Sequence, residues 1–181
     1  MRFLKVGVLT AVVLGIGIAI GFAARASEIP AVQDQSQLEP EAMQDANTLA
    51  VAKAFMGAAG AGDRGTLETL MAADFVWHNE GDGALPWIGT WRGKEVVLNE
   101  FLPAFGAGLA TTSWSTDYAM SDGQYAIFMG TMAATATASG QPTGEFTWAV
   151  RVHVVDDLVQ SWTWLEDSFA VSQAFHGRAD D

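Results

Sequence analysis

The spacing of apolar residues along this chain changes period after its first hundred or so positions. In "ANTLAVAKAFMGAAGAGD", Leu49, Ala52, Phe55, Met56 and Ala59 recur three and four apart, the stripe that lays one face of a helix on a core. Gly60, Gly62 and Gly65 interrupt it. "TLETLMAADF" then predicts a short second helix whose Leu67, Leu70 and Met71 share a face, running straight into the strand-like Phe75-Val76-Trp77. "EGDGALPWIGTWRG", rich in glycine and carrying Pro86, reads as a loop. Helical spacing returns in "KEVVLNEFLPAFGAG" with Val97, Leu98, Phe101 and Leu102, and is expected to stop at Pro103 for want of a backbone N–H.

Beyond that proline the period falls to two. "TTSWSTDYAMSD", "GQYAIFMGTMAATATAS", "GEFTWAVRVHVVDD" and "LVQSWTWLEDSF" are rich in aromatic, Thr and β-branched residues. Asp-Gly, Gly-Gln-Pro and Asp-Asp turns separate them, and links that short predict antiparallel neighbours. In one strand Phe146, Trp148, Val150, Val152 and Val154 form an apolar face, with Glu145, Thr147, Ala149, Arg151 and His153 opposite. Helices followed by a long antiparallel sheet define an α+β domain with the helices laid on one side of the sheet.

The ends of the chain read differently. Arg2 and Lys5 precede an apolar run from Val6 to Ala24, with Ala24-Arg25-Ala26 behind it, so residues 1–26 are expected to be a signal peptide, or alternatively an uncleaved membrane anchor. The domain is then exported, to the periplasm or outside the cell, and meets a membrane only if the leader is retained. Residues 27–45, with two prolines and no period, predict a flexible arm. The domain proper is placed at 46–176, with an acidic tail at 177–181. Without cysteine there are no disulfides, thiol nucleophiles or thiolate metal sites. Arg2, Lys5 and Arg25 lie in the leader, so six basic residues face all 21 acidic ones, a formal charge of about −15 that argues against nucleic acid as a partner.

The chemically interesting run is "DFVWHNEGDG". Alternation puts Val76, His78 and Glu80 on one side and Phe75, Trp77 and Asn79 on the other, so His78 and Asn79 cannot both face one pocket while the strand stays regular. A bulge near Gly81 could relax that restriction. His78, with Glu80 to orient it, is the best candidate base, or else a rim histidine. Asn79 is a ligand-orienting amide or a turn residue. Arg151 pairs with a carboxylate or meets an anionic ligand group, and His153 shares its face. Asp167 is either a carboxylate at a pocket mouth or a cap for "SFAVSQAF". Trp77, Trp87, Trp91, Trp148, Trp162 and Trp164 exceed ordinary core needs and could line a cavity for a flat, lipophilic guest. The three histidines are far apart and no phosphate-loop or dinucleotide fingerprint occurs, so no metal and no cofactor is expected.

With "AFMGAAGAGDRGTLETLMAADFVWHNEG", "PWIGTWRGKEVVLNEFL" and "VRVHVVDDLVQSWTWLEDSF" in this order, the chain resembles the SnoaL-like group of the nuclear transport factor 2 / ketosteroid isomerase superfamily. The resemblance implies a cone of about three helices packed on a strongly curved antiparallel sheet, an apolar pocket, and a homodimer through the outer sheet face. It implies no single activity. At the position matching the isomerase base stands Asn79, where the family's tyrosine would sit the first helix offers Phe55, and no aspartate lies between Trp148 and Val150. Asp167 and His153 are approximate counterparts of the cyclase aspartate and histidine, and the epoxide hydrolase Asp-Arg-Asp set is not recognisable. The expected function is an exported pocket domain that binds a small apolar or aromatic molecule without catalysis. The alternatives are an isomerase, cyclase or dehydratase with His78 as base, and a protein-interaction module built on the sheet face.

Overall fold

In the computed structural model residues 35–177 are described. The leader, the first part of the arm (27–34) and residues 178–181 of the tail lie outside the described residues. Among the described residues no helix is long and apolar enough to cross a membrane.

Helix α1 (Gln35–Ala61) begins inside the segment expected to be a flexible arm, despite Pro40. Among the described residues, its hydrogen bonds to the rest of the domain begin at Asp45, the last residue of that segment. The Ser121 hydroxyl donates to the Asp45 carbonyl at 2.8 Å, Gly123 N–H donates to Asp45 Oδ1 at 2.6 Å, and Thr48 Oγ1 donates to the Gly123 carbonyl at 2.8 Å. Asn47 reaches Asp157 Oδ1 at 2.7 Å. These bonds hold the middle of α1, from Asp45 to Thr48, on two hairpin tips, which local sequence could not reveal. Farther along, Ala52 and Phe55 are buried as the stripe requires.

Helix α2 (Arg64–Leu70) is capped by Asp63, whose carboxylate accepts from both the N–H and the hydroxyl of Thr66. Met71, expected on the helix face, instead opens strand β1 (Met71–Asn79), since its backbone is already extended. After β2 (Gly89–Arg92) come α3 (Lys94–Val96), a π-helical turn (Val97–Phe101) and α4 (Leu102–Gly108). The helical stretch therefore passes Pro103 instead of ending there. Leu102 N–H bonds to the Val97 carbonyl, and this widened turn lies immediately before the residue that cannot donate.

Strands β3 (Leu109–Trp114), β4 (Tyr118–Asp122), β5 (Tyr125–Ala136), β6 (Pro142–Val155) and β7 (Leu158–Glu166) follow, then α5 (Ser168–Phe175). The sheet order is β2-β1-β7-β6-β5-β3, with β4 also paired to β5. Consecutive partners are antiparallel as predicted, whereas β1 and β7 pair in parallel, making the sheet mixed. No short turn links β1 to β7, so nothing forces them to run in opposite directions. The β6–β7 turn places Asp156 and Asp157 at φ of 50° and 62°, the left-handed pair a tight hairpin demands.

The bend of the sheet is concentrated on β5. Its first half pairs with β4 and its second with β3, and Gly130 stands between them. A Cβ at Gly130 would overlap the Ser115 carbonyl oxygen and come within 2.9 Å of the Trp148 ring. Gly108 leaves room of the same kind for the fully buried Trp87. Phe75, Phe128, Trp148, Val150, Val152 and Trp162 fill the concave face against Phe55 of α1 and Phe101 of the π-helical turn.

Gly130→Ala is expected to destabilise the domain by at least about 1–3 kcal/mol, the usual cost of overpacking, because the obstructing atom is backbone and cannot rotate away. Gly108→Ala should cost a similar amount by displacing Trp87. Urea unfolding monitored by tryptophan fluorescence measures both, and midpoints matching wild type would contradict this account of the bend.

Candidate functional site

The concave face of the sheet, α1, and the helical stretch 94–108 enclose a cavity of about 550 Å³. Its walls are aromatic. Trp77 from β1, Trp114 from β3 and Trp162 and Trp164 from β7 present rings to it, and Phe101, Phe105, Met56 and Met132 close the sides. Gly57 and Gly60 of α1 border it as well, where side chains would otherwise fill the space.

Strand pairing sets this arrangement. Trp77 lies beside Trp162 and Asn79 beside Trp164 in the β1–β7 register, so all four point to the same face. Trp77 and Trp162 have ring centroids 5.0 Å apart, and Trp164 continues onto Trp148 at 5.1 Å with rings nearly parallel. Trp114 stacks on Trp148 at 4.3 Å and on Trp164 at 5.8 Å, so the three indoles form one cluster.

Asn79 is the buried polar residue of this wall, 3% exposed. Its Oδ1 accepts the Trp77 indole N–H at 2.7 Å. The indole can only donate, which fixes the oxygen toward Trp77 and leaves the amide nitrogen on the other side of the group. Asn79 is thus a pocket residue and not a turn residue, because β1 pairs in regular register with β7 from Val76 to Asn79, where the strand ends.

His78 is corrected by the same alternation. It is on the opposite face of β1, its ring nitrogens 2.7 Å from Thr90 Oγ1 and 2.9 Å from Glu80 Oε1, with its side chain 30% exposed, and it does not line the cavity. Arg151 is likewise on the outer face, exposed, with its guanidinium 6.0 Å from the Tyr125 ring centre and Nη2 3.5 Å from Thr163 Oγ1. His153 stacks on Tyr125 at 4.5 Å on that face. Asp167 caps α5, accepting from Phe169 N–H at 3.2 Å, and so performs the second of its two expected roles.

Of the tryptophans expected at the ligand, Trp77 and Trp164 are in the wall. Trp148 is 1% exposed and does not line the cavity, packing against both Trp114 and Trp164, which also stack on each other at 5.8 Å. Trp87 is buried against Phe105 and Phe175, and Trp91 packs on Phe101. Lys53, Thr111, Trp114 and Met132 are in the lining and were not singled out from sequence, because the pairing that brings β3 to β5 is not a local property.

Glu166 was also missed, although strand alternation from Trp162 and Trp164 puts it on their face. Its Oε2 accepts the Trp164 indole N–H at 2.8 Å, while Oε1 is buried with no partner. Burial raises its carboxyl above the ordinary range, outweighing the Trp164 hydrogen bond that favours ionisation, and the neighbouring Asp167 charge raises it further. Among the described residues, no group of three or more His, Asp or Glu is placed to hold a metal ion.

The model of the SnoaL-like domain family matches residues 52–162. The fold is similar to that of an NTF2-like protein from Burkholderia xenovorans (21% identity, 74% of this chain and 98% of that one, TM-score 0.67). It is similar to a protein of unknown function with a cystatin-like fold from Xanthomonas campestris (22%, 71% and 97%, TM-score 0.58). It is also similar to an LEH-like epoxide hydrolase from M. tuberculosis (16%, 74% and 92%, TM-score 0.55). No curated protein matches the chain.

Glu166 yields a pH dependence with a definite sign. Its folded-state affinity for a proton exceeds the unfolded one, so the native state holds the proton longer and stability falls as pH rises through the window from the ordinary glutamate value to the raised one. Below that window no penalty applies. Glu166→Gln keeps an acceptor for Trp164 and cannot ionise, so its melting temperature relative to wild type should increase across that window and level off above it. Parallel pH profiles of the two proteins would rule the argument out.

Proposed function

The chain belongs to the SnoaL-like domain family, and on that premise we propose that it is an exported pocket domain that binds a small apolar or aromatic molecule without transforming it. One observation carries this reading. The aromatic cavity of about 550 Å³ has, among the described residues, no carboxylate and no imidazole in its lining. Flat guests gain contact area and stacking from Trp77, Trp114, Trp162 and Trp164, and the volume suits a small molecule. Proton abstraction at neutral pH needs a base within hydrogen-bond reach of the guest, and His78 is on the other side of its strand. Kinship with an epoxide hydrolase fold does not supply one, since chemistry resides in side chains and not in the fold.

The chain also forms, on this proposal, a homodimer through the outer sheet face. Tyr118, Met120, Tyr125, Ile127, Met129 and Leu165 are exposed there. Tyr118 pairs with Met129 and Met120 with Ile127, so the apolar side chains form one patch across β4 and β5. A patch of that kind meeting its own copy about a two-fold axis closes the assembly without leaving a further edge. Export is supported by the charge and hydropathy pattern of the first 26 residues.

Solvent extraction and mass analysis of the purified protein should yield an apolar guest, which both wild type and His78→Ala leave unchanged on incubation. Conversion of the guest that is lost in His78→Ala would overturn the binding function in favour of catalysis. Sedimentation at tens of micromolar should give a dimer that Ile127→Glu dissociates, while a wild-type monomer would sink the assembly.

A further inference from the structure

We infer that the pocket selects guests carrying a hydrogen-bond acceptor and no donor at the end seated against Asn79, as in a ketone, aldehyde or quinone carbonyl. The inference rests on the pocket-binding function and adds to it the chemical polarity of the guest. It comes from following each polar group of the lining to its partner. Trp77 Nε1 is bonded to Asn79 Oδ1 at 2.7 Å, Trp164 Nε1 to Glu166 at 2.8 Å and Trp114 Nε1 to Thr116 at 3.2 Å. The Trp162 indole N–H is buried without a partner.

What remains open is almost wholly donor. The Asn79 amide oxygen is occupied by a group that can only donate, so the amide cannot flip to offer its oxygen to the guest without stranding the Trp77 N–H. Among the described residues its Nδ2 has no partner, and Asn79 lines the cavity while only 3% exposed. Lys53, on the exposed side of α1, adds another donor and no acceptor. Among the lining side chains Thr111 alone could also accept, and it stands on the exposed part of β3.

Trp77 thereby acts as a positioning residue for Asn79, turning a neutral side chain that could accept or donate into one that only donates. A guest hydroxyl or amine proton placed there would find no acceptor and would be buried unsatisfied. A carbonyl oxygen would be satisfied, and the ring system attached to it would lie along the indole walls.

The test compares fluorenone with fluorene, which share one tricyclic skeleton and differ by a carbonyl oxygen in place of two hydrogens. Both are titrated into the purified full-length chain, wild type and Asn79→Leu, with quenching of tryptophan emission as readout. Burying a carbonyl without a partner disfavours fluorenone, whereas the Asn79 donor favours it. The ratio of fluorenone to fluorene affinity should therefore fall on the order of tenfold in Asn79→Leu, the effect of one net hydrogen bond. Fluorene should bind both proteins alike, which also reports that the variant is folded. The infrared carbonyl stretch of fluorenone bound to wild type should lie below its position in hexane. An affinity ratio unchanged by the substitution, or a wild-type stretch at the hexane position, would overturn the inference while leaving the pocket function standing. Failure of both guests to bind wild type would remove the pocket function and this inference with it.

Discussion

The register between β1 and β7 is the constraint on which the site depends. Pairing Trp77 with Trp162 and Asn79 with Trp164 places three indoles and one amide on the concave face at once. Because strand side chains alternate with a period of two, a slip of one residue on β1 would exchange this set for Val76, His78 and Glu80. The concave face would then hold an imidazole and a carboxylate beneath a helix. Burying Phe75 and Trp77 in the core penalises that slip heavily, so the apolar content of the strand enforces the identity of its polar residues. The parallel direction of the pair also matters, since β7 can reach Asn79 only because its chain returns along β1 after the β6 hairpin.

Curvature is the second requirement, and small residues provide it. Gly130 lets β5 hand over from β4 to β3 without a side chain beneath the corner at Ser115, and that handover brings Trp114 over the concave face. Gly57 and Gly60 open the side of α1 that faces the cavity. A flat sheet with alanines at these points would pack its helices directly onto the indoles and leave no room for a guest. The cavity is thus a packing outcome as much as a chemical one.

The fold was legible where local pattern decides structure. The α1 stripe, the two faces of β6 and the Asp-Asp turn follow from spacing and turn chemistry alone; burial along β6 agrees residue by residue, and on α1 the stripe's Ala52 and Phe55 are buried with Leu49, Met56 and Ala59 half-buried beside them. Legibility failed where a distant partner decides. The anchoring of α1 at Asp45 and Asn47 cannot be read locally because the partners, Ser121, Gly123 and Asp157, lie far along the chain. Pro103 looks like a helix stop because the widened turn before it has no composition of its own. At the site, alternation separated His78 from Asn79 correctly but could not say which faced inward. The burial of Phe75 and Trp77 breaks that tie, and it is a property of the assembled sheet.

The distribution of ionisable groups about the pocket bears on what this fold can do here. A carboxylate at position 79 would sit among indoles, lose its hydration and gain basicity, the arrangement by which an apolar wall makes a proton acceptor. Asparagine occupies the same place with the same hydrogen bond to Trp77 and no titration, so the wall keeps its geometry and gives up its base. The carboxyl that does feel strong desolvation, Glu166, stands behind Trp164 and holds that ring by its N–H without reaching the lining. His78 has a carboxylate beside it but stands on the opposite face of β1 and does not line the cavity. Each ingredient of acid–base chemistry is present within a few residues of the pocket, and each is displaced from it by one step of strand alternation or one ring. A single exchange at position 79 therefore separates the neutral, hydrogen-bonded amide of this wall from a desolvated carboxylate that could take up a proton.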